Sequence, residues 1–513
     1  MKKVLIVGAG ISGLSAGVYA ARAGFDVTIL EQHFTFGGLS TSWSRKGYYF
    51  EGGMHWLTGS KDGLPMNKVW HDLGALRDNN PIENRDPLYT LLDGGKNLSL
   101  RRYEPDMRKA LLEYAPEDKK MIKKMCNDVK AFAKFYMPVF DYKGCKCKTP
   151  AKINIFEMMK MLPAAIRVPR LAKMGYIDYV NQFKNENVRR ILESVIGYRY
   201  NALSFVYTLG SFASGDCGYP AGGSVQMAKN IADKFEELGG KIKYRTKVEK
   251  VVVENGAVKG VMAKTGVGSA SGAGSASGAG SASGDGAEFI PADAVIVSQD
   301  ARAAIDNLFE EKLQSPAVNS IRENAVGEQN MFVCLGIKAD LIKYPYTSVL
   351  PIEKPFEFAG LKFNEIRINN YAKYKDHAPE GCTAMTCLLI GDSYDYWKAA
   401  KADGTYKAKK DELAQKLISE VSKFIPEIKD NVEVIDVATP CTYERYCGSY
   451  GGSWMSVWLP GQKQFNYEPK LADIDGLYFA GQRIRMPGGL PLAAFTARLA
   501  VQNLCKDTGT LFI

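Results

Sequence analysis

The sequence predicts an α/β protein in which a Rossmann-like dinucleotide-binding domain is interleaved with a second, mixed α+β domain. Three observations support this fold class. The chain opens with a strand, a glycine turn, a helix and a second strand. Alternating strands and helices return after a charged, helix-rich region. A strand, a glycine turn and a helix close the chain. With 513 residues, of which 46% are hydrophobic, the chain is long enough for roughly two to four domains.

Composition excludes several classes of protein. Lys and Arg exceed Asp and Glu by 66 to 56, a net charge of +10, which suits an anionic ligand or membrane surface but is too weak to indicate nucleic acid. The ten cysteines are scattered, predicting reduced thiols and a cytoplasmic protein. Cys145, Cys147 and the methionines at 158, 159 and 161 lack a third ligand at suitable spacing, so no metal site is expected.

The opening unit predicts a strand over 4–7, a helix over 11–23 and a strand over 26–31. Between the first two lies the sequence Gly8-Ala-Gly10-Ile11-Ser12-Gly13. In this context the backbone amides and the positive end of the helix can bind a dinucleotide pyrophosphate. Glu31 ends the second strand, where a carboxylate can accept hydrogen bonds from both ribose hydroxyls.

A second glycine turn follows Glu31 and separates FAD from NAD as the predicted dinucleotide. It consists of Gly37, Gly38, Leu39, Ser40 and Thr41. A nicotinamide dehydrogenase is not expected to have such a turn at this place. The pattern therefore favours FAD.

With this turn, the chain resembles the FAD-dependent amine-oxidase-type flavoproteins. Four further stretches, 47–56, 219–251, 438–452 and 476–489, are similar to segments of the phytoene desaturases, carotenoid isomerases and retinol saturases within that group. The resemblance implies FAD as cofactor and Val248 beside the adenine. It also places Gly481 at the pyrophosphate, and it implies flavin-ring contacts by Gly53, Met54, His55, Gly488, Gly489 and Leu490.

Two departures from the family pattern accompany this resemblance. Leu39 stands where many members carry an arginine beside the diphosphate, so that charge is missing. Leu490-Pro-Leu492 replaces the usual run rich in Gly and Pro, so the surroundings of the flavin differ from those in the carotenoid desaturases.

His55 is the predicted catalytic residue, as a proton donor or acceptor on the strand that runs toward the flavin. The alternative is a packed, hydrogen-bonded histidine. Tyr443, Glu444 and Arg445 are further candidates in the segment before the closing unit.

The resemblance implies an FAD-dependent oxidoreductase that acts on carbon-carbon bonds of a hydrophobic unsaturated substrate, isoprenoid, polyene or retinoid-like. Saturase, desaturase and isomerase reactions stay open, with His55 favouring a saturase, and the electron donor or acceptor is not identified. Two alternatives are an amine-oxidase-type enzyme acting on a polar amine and a non-catalytic FAD-binding protein.

The predicted FAD domain comprises residues 1–65, 202–304 and 436–513, and the substrate domain residues 66–201 and 305–435. Residues 266–286 repeat Gly, Ser and Ala and predict a flexible loop.

The basic, Met-rich segment 132–173 carries nine Lys or Arg against two acidic residues. It predicts either peripheral membrane contact or a solvated basic face. No apolar run reaches the ~18 residues of a membrane span.

Overall fold

The computed structural model describes residues 1–151, 155–266 and 286–513. The strands are β1 (Lys3–Val7), β2 (Asp26–Leu30), β3 (Ser42–Arg45), β4 (Tyr48–Glu51), β5 (Ile82–Glu83), β6 (Tyr89–Leu91), β7 (Leu98–Leu100), β8 (Tyr219–Pro220), β9 (Lys241–Lys243), β10 (Thr246–Glu254), β11 (Ala257–Thr265), β12 (Glu288–Pro291), β13 (Ala294–Val297), β14 (Val326–Glu328), β15 (Asn330–Ile337), β16 (Thr347–Phe358), β17 (Leu361–Asn370), β18 (Thr383–Ile390), β19 (Val432–Ala438), β20 (Met455–Val457) and β21 (Leu477–Phe479).

The α-helices are α1 (Ile11–Arg22), α2 (Pro65–Asp72), α3 (Glu104–Tyr114), α4 (Lys119–Phe132), α5 (Ile155–Lys160), α6 (Leu162–Ala165), α7 (Val168–Lys173), α8 (Tyr176–Val180), α9 (Glu186–Glu193), α10 (Ala202–Ala213), α11 (Gly223–Glu237), α12 (Ala301–Asn307), α13 (Pro316–Asn324), α14 (Tyr394–Ala402), α15 (Tyr406–Val421), α16 (Pro440–Cys447) and α17 (Leu490–Thr508). Short 3₁₀ turns cover Pro116–Asp118, Lys375–His377, Pro426–Ile428 and Tyr450–Gly452.

The first sheet is parallel and has five strands, in the order β21-β13-β1-β2-β9, so it combines the first and the last strand of the chain. Its central strands are apolar runs because both faces are covered. Helices α1, α11 and α17 pack on one face around Ile6, Leu14 and Ile231. The antiparallel strands β10, β11 and β12 pack on the other face around Val7 and Val261. The predicted α/β fold class is confirmed.

The second sheet is mixed and has seven strands, in the order β19-β15-β18-β17-β16-β6-β7. Helix α15 packs on it around Leu417 and Trp397. Helices α3, α4, α8, α9 and α10 form a further core beside β6 and β7. The predicted boundary at residue 436 falls inside β19, which pairs with β15 in this sheet. The division into two domains stays a prediction.

Helix α4 ends at Phe132. Beyond it the chain turns to pack on α17, where the Tyr142 amide donates to Gln502 at 2.8 Å and the Phe140 and Phe495 rings are 4.9 Å apart. The predicted Gly/Ser/Ala loop lies outside the described residues, apart from 266 and 286, and the strands that flank it, β11 and β12, pair antiparallel. Among the helices in the described ranges, none is long and apolar enough to cross a membrane.

Candidate functional site

The first glycine turn joins β1 to the N-terminus of α1. The Gly8 amide donates to the carbonyl of Leu30 at 2.8 Å, which ties the turn to β2. Gly13 packs so tightly that a Cβ there would lie 1.9 Å from the Gly8 carbonyl oxygen. At Gly10, the residue before α1, φ is −71° and a Cβ would meet nothing closer than 3.9 Å. Gly13 is therefore required by packing, whereas Gly10 leaves open space in front of the helix.

Glu31 lies beside this turn, at the end of β2. Its side-chain oxygens accept hydrogen bonds from the amides of Ala9 at 2.7 Å and His33 at 2.8 Å. Burial raises the pKa of the Glu31 carboxyl, and these amide donors oppose that rise. Val248 is close by, because β10 begins at Thr246, whose amide donates to the Glu31 carbonyl at 2.8 Å.

The second glycine turn lies directly against the first. The Gly37 amide donates to the Ala9 carbonyl at 2.9 Å, and Gly10 and Gly37 form a parallel bridge. A Cβ on Gly38 would lie 3.2 Å from the Cα of Gly10. Ser40 is buried in this turn, while Leu39 and Thr41 are half-buried. The two predicted turns thus form one continuous, glycine-lined surface.

Unpaired hydroxyls mark this surface. Among the described residues, the buried Oγ atoms of Ser12 and Ser40 have no hydrogen-bond partner. Ser12 lies in the first turn of α1, next to the buried Ile11. Unsatisfied buried polar atoms are unusual in folded proteins and are commonly satisfied by a ligand or water.

Glu51, which the sequence reasoning did not single out, connects the segment before His55 to the rest of the site. Its carboxylate accepts from the amides of Gly53 at 2.9 Å and Met54 at 3.1 Å, and from the amide of Ser224 at 2.9 Å at the start of α11. Tyr219 also donates to it, at 3.2 Å. A Cβ on Gly53 would lie 2.7 Å from the Leu39 carbonyl oxygen, so this segment packs against the second glycine turn.

The closing unit supplies a third glycine-rich turn. The Gly481 amide donates to Thr496 Oγ1 of α17 at 2.9 Å. The Gly489 amide donates to Gln482 Oε1 at 3.0 Å, and Gly489, after Gly488, precedes α17, which begins at Leu490. Gln482 Nε2 in turn donates to the Trp454 carbonyl at 3.0 Å.

His55 lines a pocket that is partly open to solvent. Aromatic and apolar side chains form much of its wall: Trp56, Leu88, Tyr89, Phe212, Tyr219 and Tyr346. The rings of His55 and Trp454 lie 6.4 Å apart. Through Trp454 and Gln482, the pocket is therefore connected to the closing glycine turn.

His55 is a half-buried, neutral imidazole. Desolvation, with smaller contributions from Arg367 and Arg85, lowers its pKa to about 3. Its Nδ1 lies 3.5 Å from Asn369 Nδ2. Asn369 Oδ1 accepts from Thr347 Oγ1 at 3.0 Å, which orients the amide with its NH₂ group toward the histidine. Nδ1 is then the acceptor, and we assign the ring hydrogen to Nε2.

The structure separates Tyr443, Glu444 and Arg445 from His55. Tyr443 donates to Asn330 Oδ1 at 2.9 Å, and Glu444 accepts from Tyr394. Glu444 and Arg445 are exposed on α16. None of the three lines the pocket beside His55.

Comparison with known proteins identifies the family. Residues 11–505 match the family described as flavin containing amine oxidoreductase. The chain belongs to this family.

Curated relatives of this flavin-dependent chain align with nearly its whole length at low sequence identity. It is 23% identical to the all-trans-retinol 13,14-reductase of Danio rerio, over 97% of the chain and 86% of that protein. It is 22% identical to the prolycopene isomerase of Daucus carota, over 98% of the chain and 80% of that protein. It is also 22% identical to a 4,4'-diapophytoene desaturase of Methylomonas sp., over 98% of the chain and 95% of that protein.

Solved structures share the fold of this flavoprotein. An oxidoreductase from Methanosarcina mazei superposes with a TM-score of 0.60 at 17% identity, over 98% of the chain and all of that structure. The cyclohexylamine oxidase of Brevibacterium oxydans superposes with a TM-score of 0.59 at 15% sequence identity, over 99% of both chains. The protein is an FAD-dependent oxidoreductase.

The residues present fit FAD. Three glycine turns, the N-terminus of α1 and a carboxylate at the end of β2 are the groups that bind a dinucleotide. The unpaired hydroxyls of Ser12 and Ser40 lie on the same surface. Leu39 supplies no charge on this surface, so backbone amides and the N-terminus of α1 would have to neutralise a diphosphate bound there.

Proposed function

We propose that this flavoenzyme transfers reducing equivalents to or from carbon-carbon bonds of a hydrophobic unsaturated substrate of the retinoid or polyene kind. The observation that carries the proposal is the near full-length match to relatives named as a retinol reductase, a prolycopene isomerase and a diapophytoene desaturase. The aromatic pocket beside His55 supports it, because conjugated chains pack well on aromatic rings.

The proposed FAD site consists of the residues on the glycine-lined surface and near it. They are Gly8, Gly10, Ile11, Ser12, Gly13, Glu31, Gly37, Gly38, Leu39, Ser40, Thr41, Gly53, Met54, His55, Val248, Gly481, Gly488, Gly489 and Leu490. When bound, FAD supplies the hydride chemistry. The chain holds the cofactor, excludes water and orients the substrate.

The positive charge of the pocket argues against the amine-oxidase alternative. Arg85, Arg102 and Arg367 line the pocket, against one acidic residue, Glu83. An ammonium group would meet repulsion there. The fold shared with amine oxidases does not bear on this choice, since one fold serves many substrates.

An anaerobic titration tests the proposal. The flavin of the purified protein is reduced, and polyenes, retinoids and other alkene lipids are added while the flavin band near ~450 nm is followed. Reoxidation by one of these lipids supports a saturase. Bleaching of oxidised flavin by a more saturated lipid supports a desaturase, and isomerised product without net flavin change supports an isomerase. No response to any lipid, together with reduction by amines, would contradict the proposal.

We further propose that His55 acts as a neutral hydrogen-bond donor through Nε2–H toward the substrate. With its pKa lowered to about 3, the imidazole carries no charge above about pH 5. His55→Ala is expected to lower the flavin reoxidation rate about 10- to 100-fold, the cost of one hydrogen bond, without lowering FAD content. His55→Gln, whose amide can donate, should recover much of the rate.

The pH profile separates this role from acid catalysis. The wild-type rate should show no ionisation between about pH 5 and 7 that is absent from the His55→Gln enzyme. A step near pH ~6.5 that disappears in that variant would mean that His55 titrates during the reaction, contrary to this assignment.

Peripheral membrane contact through residues 155–166 is the remaining proposal. This stretch exposes Ile155, Phe156, Met158, Met159, Leu162 and Ile166, each at 55% or more. Lysines 143, 146, 148, 160 and 173, which precede, lie within or follow this stretch in the sequence, are exposed, and Lys160 pairs with Glu157. Arg167 and Arg170, however, pair with Asp128 of α4, so part of the predicted basic excess is neutralised. Exposed apolar side chains, with exposed lysines nearby in the sequence, suit an anionic lipid surface.

The patch and the pocket share one core. Ala164 and Leu171, the buried residues of α6 and α7, pack in the same cluster as Tyr89 and Phe212 of the pocket wall.

Substituting Ile166 by glutamate should weaken binding to vesicles that contain phosphatidylserine by about tenfold, because an apolar side chain leaves the bilayer and a negative charge enters. Ile342, 57% exposed and outside the patch, is the matched control, and Ile342→Glu should bind as the wild type does. Sedimentation with vesicles measures both. Equal binding by the two variants would contradict the proposed contact.

A further inference from the structure

Arg85 is held rigidly at the wall of the pocket. Its guanidinium carbon lies 3.9 Å from the ring centroid of Tyr219 and 3.7 Å from that of Tyr346. Nε donates to the hydroxyl of Tyr374 at 2.9 Å and Nη1 to the His55 carbonyl at 3.3 Å. Nη2 is buried and has no hydrogen-bond partner among the described residues. The group is thus fixed in place with one donor unused.

Two more arginines of the wall have only neutral partners. Arg102 is 1% exposed and donates from Nη2 to Asn84 Oδ1 at 2.7 Å and to the Asp216 carbonyl at 2.5 Å, while its buried Nε is unpaired. Arg367 donates from Nη1 to the Ser194 carbonyl at 2.8 Å. Within the described ranges, no carboxylate oxygen lies within the 4.0 Å of an ion pair with either side chain, although Asp216 and Asp86 oppose the fall in the Arg102 pKa that burial causes, and Arg367 opposes the rise in the Glu328 pKa.

The one acid of the wall does not balance these charges. Glu83 lies 3.8 Å from Arg85 Nε, but it also pairs with Lys373 and accepts from the Tyr374 hydroxyl at 2.6 Å. Lys373 therefore already neutralises the charge of this carboxylate. Uncompensated charges in a buried site are costly unless a counter-charge enters.

We propose that the pocket binds the substrate by a terminal oxyanion, a carboxylate or phosphate, that the arginines Arg85, Arg102 and Arg367 hold. This inference rests on the proposed function, since it adds an anionic end to the unsaturated substrate. Arginine forks match the geometry of both oxyanions. Trp56, Leu88 and Phe212 leave an apolar wall for the hydrocarbon part. A neutral hydrocarbon would leave the three cations facing a single carboxylate of the wall, Glu83, which Lys373 already pairs with.

Matched pairs of lipids test this in the FAD-loaded protein. One pair is all-trans-retinoic acid and its methyl ester, and the other is geranylgeranyl diphosphate and geranylgeraniol. Within each pair only the oxyanion differs. The proposal expects the dissociation constant of at least one anion to be about 10- to 100-fold lower than that of its neutral partner, as charge-assisted hydrogen bonds imply. The preferred pair distinguishes carboxylate from phosphate.

Single substitutions then locate the site. In Arg367→Gln and Arg85→Gln, the preference for the anion should fall about tenfold or more, with the affinity for the neutral lipid little changed. Arg101→Gln is the matched control, because Arg101 pairs with Asp86 and does not line the pocket, and it should keep the wild-type preference. Two substitutions are used so that a folding defect in one leaves the other informative.

Equal affinity for anion and neutral lipid in the wild type would overturn the inference, as would an unchanged preference in both pocket variants. These results differ from failure of the proposed function. If neutral polyenes exchange electrons with the flavin and the anions bind no more tightly than their neutral partners, the proposed function stands and the oxyanion site is contradicted. If anions bind through these arginines but no lipid exchanges electrons with the flavin or is isomerised, the oxyanion site stands and the proposed function is contradicted.

Discussion

Gly10→Ala protein is expected to fold as the wild type does and to purify without flavin. At Gly10 the backbone has φ of −71°, which any residue adopts, and a Cβ would meet nothing within 3.9 Å. The methyl group therefore causes no clash within the chain. It would, however, occupy the space before the first amides of α1, where close backbone approach to the pyrophosphate is needed. Flavin absorbance per protein should fall at least about tenfold.

Two further variants make this result specific. Gly13→Ala places a Cβ 1.9 Å from the Gly8 carbonyl oxygen, so it should destabilise the fold itself. Glu31→Gln should leave the protein folded and weaken FAD binding, because the amide replaces one acceptor oxygen and removes the charge that receives the ribose hydroxyls. Circular dichroism checks the fold and absorbance the flavin. Full flavin content in Gly10→Ala would contradict the assigned site.

Asp300→Ala is expected to destabilise the protein far more than the loss of a surface ion pair does. Asp300 and Arg483 form an ion pair at 2.5 Å, with side chains 7% and 4% exposed. Asp300 also accepts from the amides of Arg302 at 3.0 Å, at the start of α12, and of Tyr450 at 3.1 Å. Removing it leaves a buried guanidinium without its counter-charge, at a cost of about 3–5 kcal/mol in the free energy of unfolding.

A control in the same helix separates burial from charge. Asp306 pairs with Arg302 and Arg322 but is 30% exposed, so Asp306→Ala should cost about 1 kcal/mol or less. Asp300→Asn keeps a good helix cap and isolates the loss of charge. Denaturant unfolding curves measured with and without added FAD give the comparison. Equal shifts for Asp300→Ala and Asp306→Ala would refute the argument.

The cofactor surface was predictable because its signals are local. Gly8, Gly10, Gly13 and Glu31 lie within one βαβ unit, and the spacing of such a unit fixes which residues meet. The parallel sheet followed from the same signals, since apolar strands next to glycine turns and helices predict it. The structure places these residues side by side, and the family is flavin-containing, while the contacts of the single residues with FAD stay a prediction.

The pocket could not be predicted in the same way. Arg85, Arg102 and Arg367 come from three separate segments, and long-range pairing in the seven-stranded sheet brings them to one wall. No short-range pattern marks such residues in a single sequence. His55 was located by its motif, but its low pKa depends on burial and on Arg367, which lies far from it in the sequence.

The mass of the product tests the central claim most directly. A stoichiometric amount of a lipid that responds in the anaerobic titration is incubated with the flavoenzyme, and the extracted product is analysed by mass spectrometry. The account predicts a product that differs from the substrate by two hydrogens at a carbon-carbon bond, one molecule per flavin, or an isomer of equal mass. Unchanged lipids, with oxidation of an added amine instead, would contradict it.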